Sequence, residues 1–254
     1  MRFSVSLVLS AVLSTAASQS PAFAADAIGE VAAVVGKPSA SGPSGDRDLA
    51  AGAPVYEDDK IVVRSGNAQI ILNDGTKLVV GPGSTLILDR FLMKGGNRAQ
   101  KVSIKALRGT FRFITGRSAK SAYDIQTASA TIGIRGTGFD VWSKGKKTGV
   151  AVHVGLVSLC SSGNCVDLRE GCDIGRAGGD EARELTARVK GTSIANYLPY
   201  ILSQASLGTK FHLPIQNCRS SLPHGRDGGG ELPSNDNPGR GQGGQNPNSS
   251  TSTD

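Results

Sequence analysis

The sequence predicts an all-β domain over residues 28–175, in the form of a twisted β-sandwich or a short solenoid-like β-roll. Short apolar runs alternate there with turns rich in Gly, Asp and Pro about every eight to twelve positions, a spacing typical of these folds. Helical spacing of apolar residues begins only near residue 180, and residues 219–254 contain almost no apolar residues. We therefore expect a small helical appendage over 180–218 and a disordered tail over 219–254.

The residues before the β domain have the three parts of a secretory signal, predicted over 1–24. Arg2 supplies a positive charge, Phe3–Ala17 is an apolar run, and Ala22-Phe23-Ala24 is a small-x-small cleavage pattern. The apolar run is shorter than the about 20 residues that span a bilayer. We expect cleavage between Ala24 and Ala25 and no integral membrane segment. The expected location is periplasmic, with the cell surface or the extracellular space as the alternative.

The β domain begins as a series of short strands joined by turns. Asn73-Asp74-Gly75 lies between the apolar runs Ala68–Leu72 and Lys77–Val80, and this arrangement predicts a hairpin because Asp and Gly tolerate positive φ. Asp74 is therefore assigned to the turn rather than to catalysis. The other predicted strands are Ile28–Val35, Lys60–Arg64, Thr85–Leu88, Lys101–Lys105, Gly109–Phe113, Ala122–Gln126, Gly149–Val154, Leu156–Cys160 and Val166–Leu168.

The centre of the domain is the stretch Ala128–Val141, in which apolar and small residues alternate around Gly133, Gly136 and Gly138. Glycine inside a strand usually marks a bulge, a bend or a close approach of backbones. We expect at least one of the three glycines to have positive φ or to lie against another backbone. Arg135 is the one candidate binding side chain here, although a structural bond to a strand-end carbonyl or carboxylate is the favoured role.

Two helices are predicted after the β domain. Asp180–Lys190 has acids early and bases late, as the helix dipole prefers. Ser193–Leu207 places six apolar residues on one face, and Pro199 must kink this helix or begin its regular part. That face is expected to pack on the β domain, with partner binding as the alternative. Its residues are Ile194, Tyr197, Leu198, Ile201, Leu202 and Ala205.

All four cysteines lie after the predicted signal, and an even number in an exported chain predicts disulfides rather than zinc ligation. Cys160 and Cys165 enclose four residues, the length of a common hairpin loop, which would bring their Cβ atoms close together. We therefore favour Cys160–Cys165, which leaves Cys172–Cys218. The alternative pairs Cys165 with Cys172 and Cys160 with Cys218.

Composition argues against several classes of function. The formal net charge is +7, which favours anionic surroundings, but no dense Lys/Arg tract with interleaved aromatic residues predicts nucleic-acid binding. The three histidines, His153, His212 and His224, are not placed for a catalytic triad. Gly133-x-x-Gly136-x-Gly138 does not have the order of a dinucleotide-binding loop. The sequence predicts no enzyme, no cofactor and no metal site.

Six segments together resemble one known family, and Ile132–Val141 is the most distinctive of them. They are Val63–Ile70, Leu72–Thr76, Leu107–Phe111, Ile125–Ala128, Ile132–Val141 and Val152–Val157. The resemblance is to the FecR domain and covers about Ile28 to Gly175. It implies a periplasmic, all-β, non-enzymatic domain.

The best-known FecR proteins are membrane-anchored regulators that receive a signal from an outer-membrane receptor and control a sigma factor. This chain has a predicted cleavable signal in place of their cytoplasmic segment and membrane helix, so it resembles the free-standing secreted members. Gly138 stands where many members have a carboxylate, and the cysteines look like a local addition. The anti-sigma function is therefore not carried over to this chain.

The expected function is a periplasmic FecR-like binding or interaction module of the envelope, with a connection to signalling. Its partner would be an envelope protein or polysaccharide, and its oligomeric state is left open. The alternative is a structural or adhesive component of the cell surface. The candidate site residues are structural, with partner contact as a second role: Gly133, Arg135, Gly136, Thr137, Gly138 and Phe139.

Overall fold

The computed structural model describes residues 25–185, 197–216 and 218. The predicted signal over 1–24, residues 186–196 of the predicted appendage and the predicted tail over 219–254 lie outside the described residues. In the described part of the chain, no helix is long and apolar enough to cross a membrane.

The described residues form fifteen β-strands, which confirms the predicted all-β class. Their bounds follow the alternation of apolar and polar residues, and two pairs of predicted short strands each merge into one long strand, β9 and β12. The strands β1 to β15 are Ala27–Val35, Ser39–Ser41, Arg47–Asp48, Pro54–Tyr56, Lys60–Val63, Asn67–Leu72, Lys77–Val80, Ser84–Gly95, Arg98–Ile114, Tyr123–Thr127, Thr131–Lys144, Lys147–Ser161, Asn164–Arg169, Ile174–Gly178 and Glu181–Glu184.

The strands join into one open, hydrogen-bonded sheet in which β9 changes partners along its length. Its first part pairs with β8 on one side and with β10 on the other, and its last part pairs with β7 and β11. The β9–β10 pair is parallel, whereas the other pairs of this sheet are antiparallel. Because successive side chains of a strand point to opposite faces, β9 alternates between core and outer positions.

Apolar side chains from most strands meet in one buried cluster. Phe111 and Phe113 of β9 and Phe139 and Val141 of β11 lie at its centre, each at most 1% exposed. The outer face of β6, β7, β9, β11 and β12 carries different residues, and a second layer from the C-terminal part of the chain covers it. The sheet therefore has two buried faces in this region.

The predicted helical appendage is not shown by the described residues. Glu181–Glu184 is a strand that pairs with β14, so sheet hydrogen bonds replace the helical spacing there. After the gap, 3-10 turns form at Pro199–Ile201 and Thr209–Phe211. Its backbone carbonyls accept bonds from sheet side chains, and a regular helix would use those carbonyls internally.

The predicted packing of this segment is correct for only part of its apolar face. Leu198 and Ile201 are buried against the sheet, as expected, but Tyr197 and Leu202 are 40% and 42% exposed. Tyr200, which was not on the predicted face, is buried instead. The difference follows from the extended path of the chain, which does not place residues at helical spacing on one side.

Candidate functional site

The glycine-rich stretch forms a bulge in the middle of β11. Arg135 is opposite Leu156 and Gly138 is opposite Val154, so two residues of β11 face the single Gly155 of β12. Gly136 has φ +68° and Gly155 has φ +79°, and a Cβ on Gly155 would overlap the carbonyl oxygen of Gly136. The expectation of positive φ within the stretch is thus confirmed at Gly136. The bulge depends on glycine in both strands.

Arg135 lies exposed beside this bulge. Its side chain forms no hydrogen bond or ion pair with the described residues, so the favoured structural bond is absent from this part of the chain. Leu156 is directly opposite Arg135, and Arg169 of β13 is directly opposite Leu156. Side chains opposite each other share a face, so Arg135 and Arg169 flank Leu156 on an accessible part of the sheet.

The other residues of the stretch serve the fold. The backbone of Thr137 bonds to Thr115 on the neighbouring segment, N to Oγ1 at 3.1 Å. Phe139 stacks on Phe113 with ring centroids 5.4 Å apart. Gly138 lies beneath the side chain of Leu213, whereas Gly133 has no atom closer than 3.6 Å to the position of a Cβ. Only Arg135 is therefore placed to contact a partner through an extended side chain.

A buried charged centre lies on the outer face of the sheet, on the side opposite the phenylalanine core. Arg112 of β9 and Asp140 of β11 are opposite each other and fully buried. Arg112 donates from Nε to Asp140 Oδ1 at 2.6 Å and from Nη2 to Oδ2 at 2.8 Å. His153 of β12 lies 3.0 Å from Asp140 Oδ2 through Nε2. The three residues form one hydrogen-bonded row across three strands.

The environment of Asp140 determines its ionisation. Burial by itself would raise the pKa of the carboxyl group, but the charge of Arg112 and the hydrogen bonds from Arg112 and His153 more than offset it. The pKa of Asp140 is therefore lowered and the group is held as a carboxylate. Burial raises the pKa of Tyr200 nearby, and the negative charge of Asp140 adds to that effect.

The segment 197–216 together with Cys218, here called the C-terminal strap, covers this centre. Arg112 donates to the carbonyl oxygens of Tyr200 at 3.1 Å and Phe211 at 3.3 Å, and to the side-chain oxygen of Gln204. Gln204 in turn accepts from the N–H of Leu213 at 2.8 Å. The guanidinium thus joins two sheet strands to two turns of the strap.

Further polar contacts hold the strap along the sheet. Gln69 of β6 donates to the carbonyl of Ser206 at 3.2 Å and accepts from the N–H of Gly208 at 2.7 Å. Thr110 of β9 donates to the carbonyl of Tyr197 at 2.6 Å. These side chains replace the hydrogen bonds that the irregular backbone of the strap does not make with itself.

Both disulfides have the pairing that the hairpin argument favours. Cys160 is bonded to Cys165, directly opposite it in the β12–β13 hairpin, and Cys172 is bonded to Cys218. The second bond anchors the end of the strap to the sheet beside His153, whose Nδ1 lies 3.4 Å from Cys218 Sγ. The cysteines therefore have structural positions and not ligand positions.

Asp74 has the predicted turn role and a second role that the sequence did not indicate. Its Oδ1 accepts from the N–H of Thr76 at 2.9 Å, inside the hairpin turn. Its Oδ2 accepts from the hydroxyls of Ser118 at 2.7 Å and Tyr123 at 2.8 Å. The fully buried carboxylate thus ties the β6–β7 turn to the start of β10, which leaves it no accessible oxygen for chemistry.

Arg112 was missed as a site residue, although the sequence contains a signal for it. It stands between Phe111 and Phe113, as Asp140 stands between Phe139 and Val141. A charged residue between two core residues of a strand must point to the other face of the sheet. Arg112 and Asp140 have opposite charges in such positions, so the sequence pattern could have predicted an ion pair between them. No pattern linked them to the strap, which is distant in the chain.

Among the described residues, no group of three or more His, Cys, Asp or Glu side chains is arranged to hold a metal ion. A cleft of about 550 Å³ lies between the β10–β11 turn and the Cys160 hairpin, with Lys146 and Asp180 at its rim. Its lining is mainly small residues and hydroxyl groups.

No curated protein matches this chain. Two solved structures of a candidate anti-sigma factor from Parabacteroides distasonis are similar at 16% sequence identity. The first covers 51% of this chain with a TM-score of 0.40, and the second covers 55% with a TM-score of 0.41. The chain spans 63% of the first structure, less than two thirds of its length, and 70% of the second.

The family model of the FecR protein matches residues 59–158. This segment runs from β5 into β12 and contains the glycine bulge, Arg135 and the charged row of Arg112, Asp140 and His153, whereas the strap lies outside it. Residues 59–158 of this chain therefore form a FecR domain.

Proposed function

We propose that this protein is an exported, non-enzymatic FecR-domain module of the bacterial envelope that takes part in signalling by binding an envelope protein or polysaccharide. The match of residues 59–158 to the FecR family carries the proposal. Two disulfides are typical of an oxidising compartment and support export. The predicted signal over 1–24 supports it from the sequence.

The proposed contact with the partner is at the bulge in β11. Arg135 is exposed and has no partner among the described residues, while the backbone beneath it is fixed by the β11–β12 pairing on both sides. A guanidinium on a rigid strand can bind a carboxylate or phosphate through two parallel hydrogen bonds at a low entropic cost. Arg169 and Leu156 would extend that contact.

The placement of the titratable groups supports a non-enzymatic role. His153 is buried, with one ring nitrogen at Asp140 and the other at Cys218. Asp74 and Asp140 are buried and accept several hydrogen bonds each. A general acid or base must reach a substrate, and these groups are covered by the fold.

Site-specific crosslinking in intact cells tests the proposal. A photo-crosslinking residue at position 135 should give one discrete adduct with an envelope component, and the same residue at the exposed position of Lys60, in β5, should not. Smears of equal strength at both positions, or no adduct at 135, would overturn the assigned contact.

Fractionation of the same cells tests the compartment. Mature protein in the periplasmic fraction is the expected result. Recovery with the exposed cell surface would contradict it and favour the alternative of a structural or adhesive surface component. A sigma-factor gene or receptor gene beside this one would support the signalling role.

A further inference from the structure

A cationic surface with an aromatic stack lies at the far end of β11 from the bulge. Trp142 is opposite Gly149 of β12, Gly149 is opposite Arg176 of β14, and Arg176 is opposite Arg183 of β15. These residues therefore share one face of the sheet. The face is the outer one, because Val141 and Val150 beside them point into the core.

Five cations collect on this surface. Lys144 and Lys147 are opposite each other two residues beyond Trp142 and Gly149, and Arg108 lies on the adjoining β9. All five are exposed. Among the described residues, only Arg183 of these five forms an ion pair, with Glu181 at 3.9 Å. The five cations are Arg108, Lys144, Lys147, Arg176 and Arg183.

The aromatic stack separates this surface from the covered part of the sheet. Trp142 packs over Gly149, and the ring of Tyr197 lies on Trp142 with centroids 4.2 Å apart. The strap holds Tyr197 there through the bond from Thr110 to its carbonyl. Tyr197 is 40% exposed, so its ring is accessible beside the cations.

Two clefts are built from these groups. One, of about 390 Å³, is lined by Arg108, Lys144, Trp142 and Tyr197 together with the Pro82–Gly83 turn. The other, of about 330 Å³, is lined by both lysines of the β11–β12 turn, Arg176, Arg183 and Glu181. Each is large enough for one or two sugar rings. Lys146 and Lys147 are those two lysines.

We propose that this surface is a binding site for an acidic saccharide, in which a sugar ring lies against Tyr197, whose own ring rests on Trp142, and the carboxylates of the sugar accept hydrogen bonds from Arg108 and the surrounding cations. An aromatic face beside unpaired guanidinium and ammonium groups suits a ligand that has both an apolar ring face and a negative charge. The site goes beyond the proposed function, since it does not use Arg135.

The chain provides its own probe for this site, because Trp142 is the only tryptophan of its 254 residues. Oligogalacturonate should change the tryptophan fluorescence of the full-length protein saturably, and added salt should weaken the effect. The same oligosaccharide with its carboxyl groups methyl-esterified should bind at least about tenfold more weakly, because the charge-assisted bonds are lost.

Matched variants distinguish the site from a diffuse positive charge. Arg108→Gln should weaken binding by about tenfold, and Arg98→Gln, an equal loss of charge at the exposed start of β9, should leave it unchanged. Tyr197→Ala should weaken binding about three- to tenfold, while Tyr197→Phe should retain it. Thermal melts of each variant confirm that the protein is folded.

Three outcomes would overturn the proposal. They are equal binding of the esterified sugar, equal weakening by Arg108→Gln and Arg98→Gln, and a fluorescence response to phosphatidylglycerol vesicles with none to the acidic sugar. The last result would assign the surface to a membrane instead. None of them bears on crosslinking at position 135, so failure here is distinct from failure of the proposed function.

Discussion

At the scale of single residues, the pair of Arg112 and Asp140 is the most demanding feature of the fold. Both side chains are fully buried, and burying an ion pair costs several kcal/mol unless its remaining hydrogen-bonding groups are satisfied. His153 and the strap carbonyls satisfy them here. The pair therefore contributes to the specific position of the strap more than to stability as such.

Replacing Asp140 with Asn should lower the free energy of unfolding by about 3 kcal/mol at pH 7, because Arg112 would stay buried without its counter-ion. The folded-state pKa of Asp140 is lowered, so the stabilisation by the carboxylate is present above the unfolded-state pKa of about 4 and is lost as the pH falls through the lower folded value. The difference between wild type and variant should thus shrink below about pH 4.

Urea denaturation at a series of pH values measures this difference. Asp89→Asn is the control, since the pKa of Asp89 is also lowered, mainly by its hydrogen bonds to Lys105 and Ser103, but the ion pair is partly exposed. Asp89→Asn should lower the free energy of unfolding by less than about 1 kcal/mol. Equal losses of unfolding free energy for the two substitutions would show that the buried ion pair contributes no more than the partly exposed one.

The bulge gives a second prediction for single residues. Gly136→Val should destabilise the protein by more than about 1 kcal/mol, because a β-branched residue is strained at φ +68° and its Cβ would displace the Lys120 side chain. Gly133→Val should have little effect, since Gly133 has space for a Cβ and lies in regular strand. Thermal melts compare the two, and equal melting temperatures would contradict the conformational account.

At the scale of elements, the strap is held by a covalent bond as well as by side chains. The Cys172–Cys218 bond has a sequence separation of 46, and the Cys160–Cys165 bond has a separation of 5. Closing the longer loop restricts the unfolded chain more. The strap segment also buries Leu198, Ile201 and Phe211 on the sheet, so its attachment and its packing reinforce each other.

Removing each disulfide by a double Cys→Ala substitution should show this difference. On the chain-entropy model the loss of Cys172–Cys218 costs about 4 kcal/mol and the loss of Cys160–Cys165 about 2 kcal/mol. Hydrogen exchange should also accelerate in the strap for the first variant and only in the β12–β13 hairpin for the second. Faster exchange confined to other regions would contradict the anchoring role.

At the scale of the whole molecule, the FecR domain is not a complete structural unit in this chain. Strand β1 precedes it and pairs with both β6 and β4. Strands β14 and β15 and the strap follow it and cover β12 and the outer face. The matched segment therefore depends on residues from both sides for its edges and for one of its buried faces.

Truncation tests this dependence. A chain that ends at residue 218 retains the strap and should melt like the full-length protein. A chain that ends at residue 196, with Cys172→Ala, loses the strap and should melt well below full-length protein that carries Cys172→Ala and Cys218→Ala. The chain that ends at residue 196 lacks the strap groups that bond to Arg112 and the apolar side chains that cover Val79. Arg112, Asp140 and Val79 therefore become exposed. Equal melting of the last two proteins would contradict the proposed dependence.

The strand class, most strand positions, the Asp74 turn, the glycine bulge and the favoured cysteine pairing could all be predicted from the amino-acid sequence. All of these depend on neighbours within a few residues, where alternation, turn chemistry and loop length act directly. Tertiary structure decided what β9 pairs with along its length, that Glu181–Glu184 is a strand, and that the strap is irregular. Those outcomes depend on groups distant in sequence, such as the Arg112 side chain that binds the strap carbonyls, and local spacing does not encode such contacts.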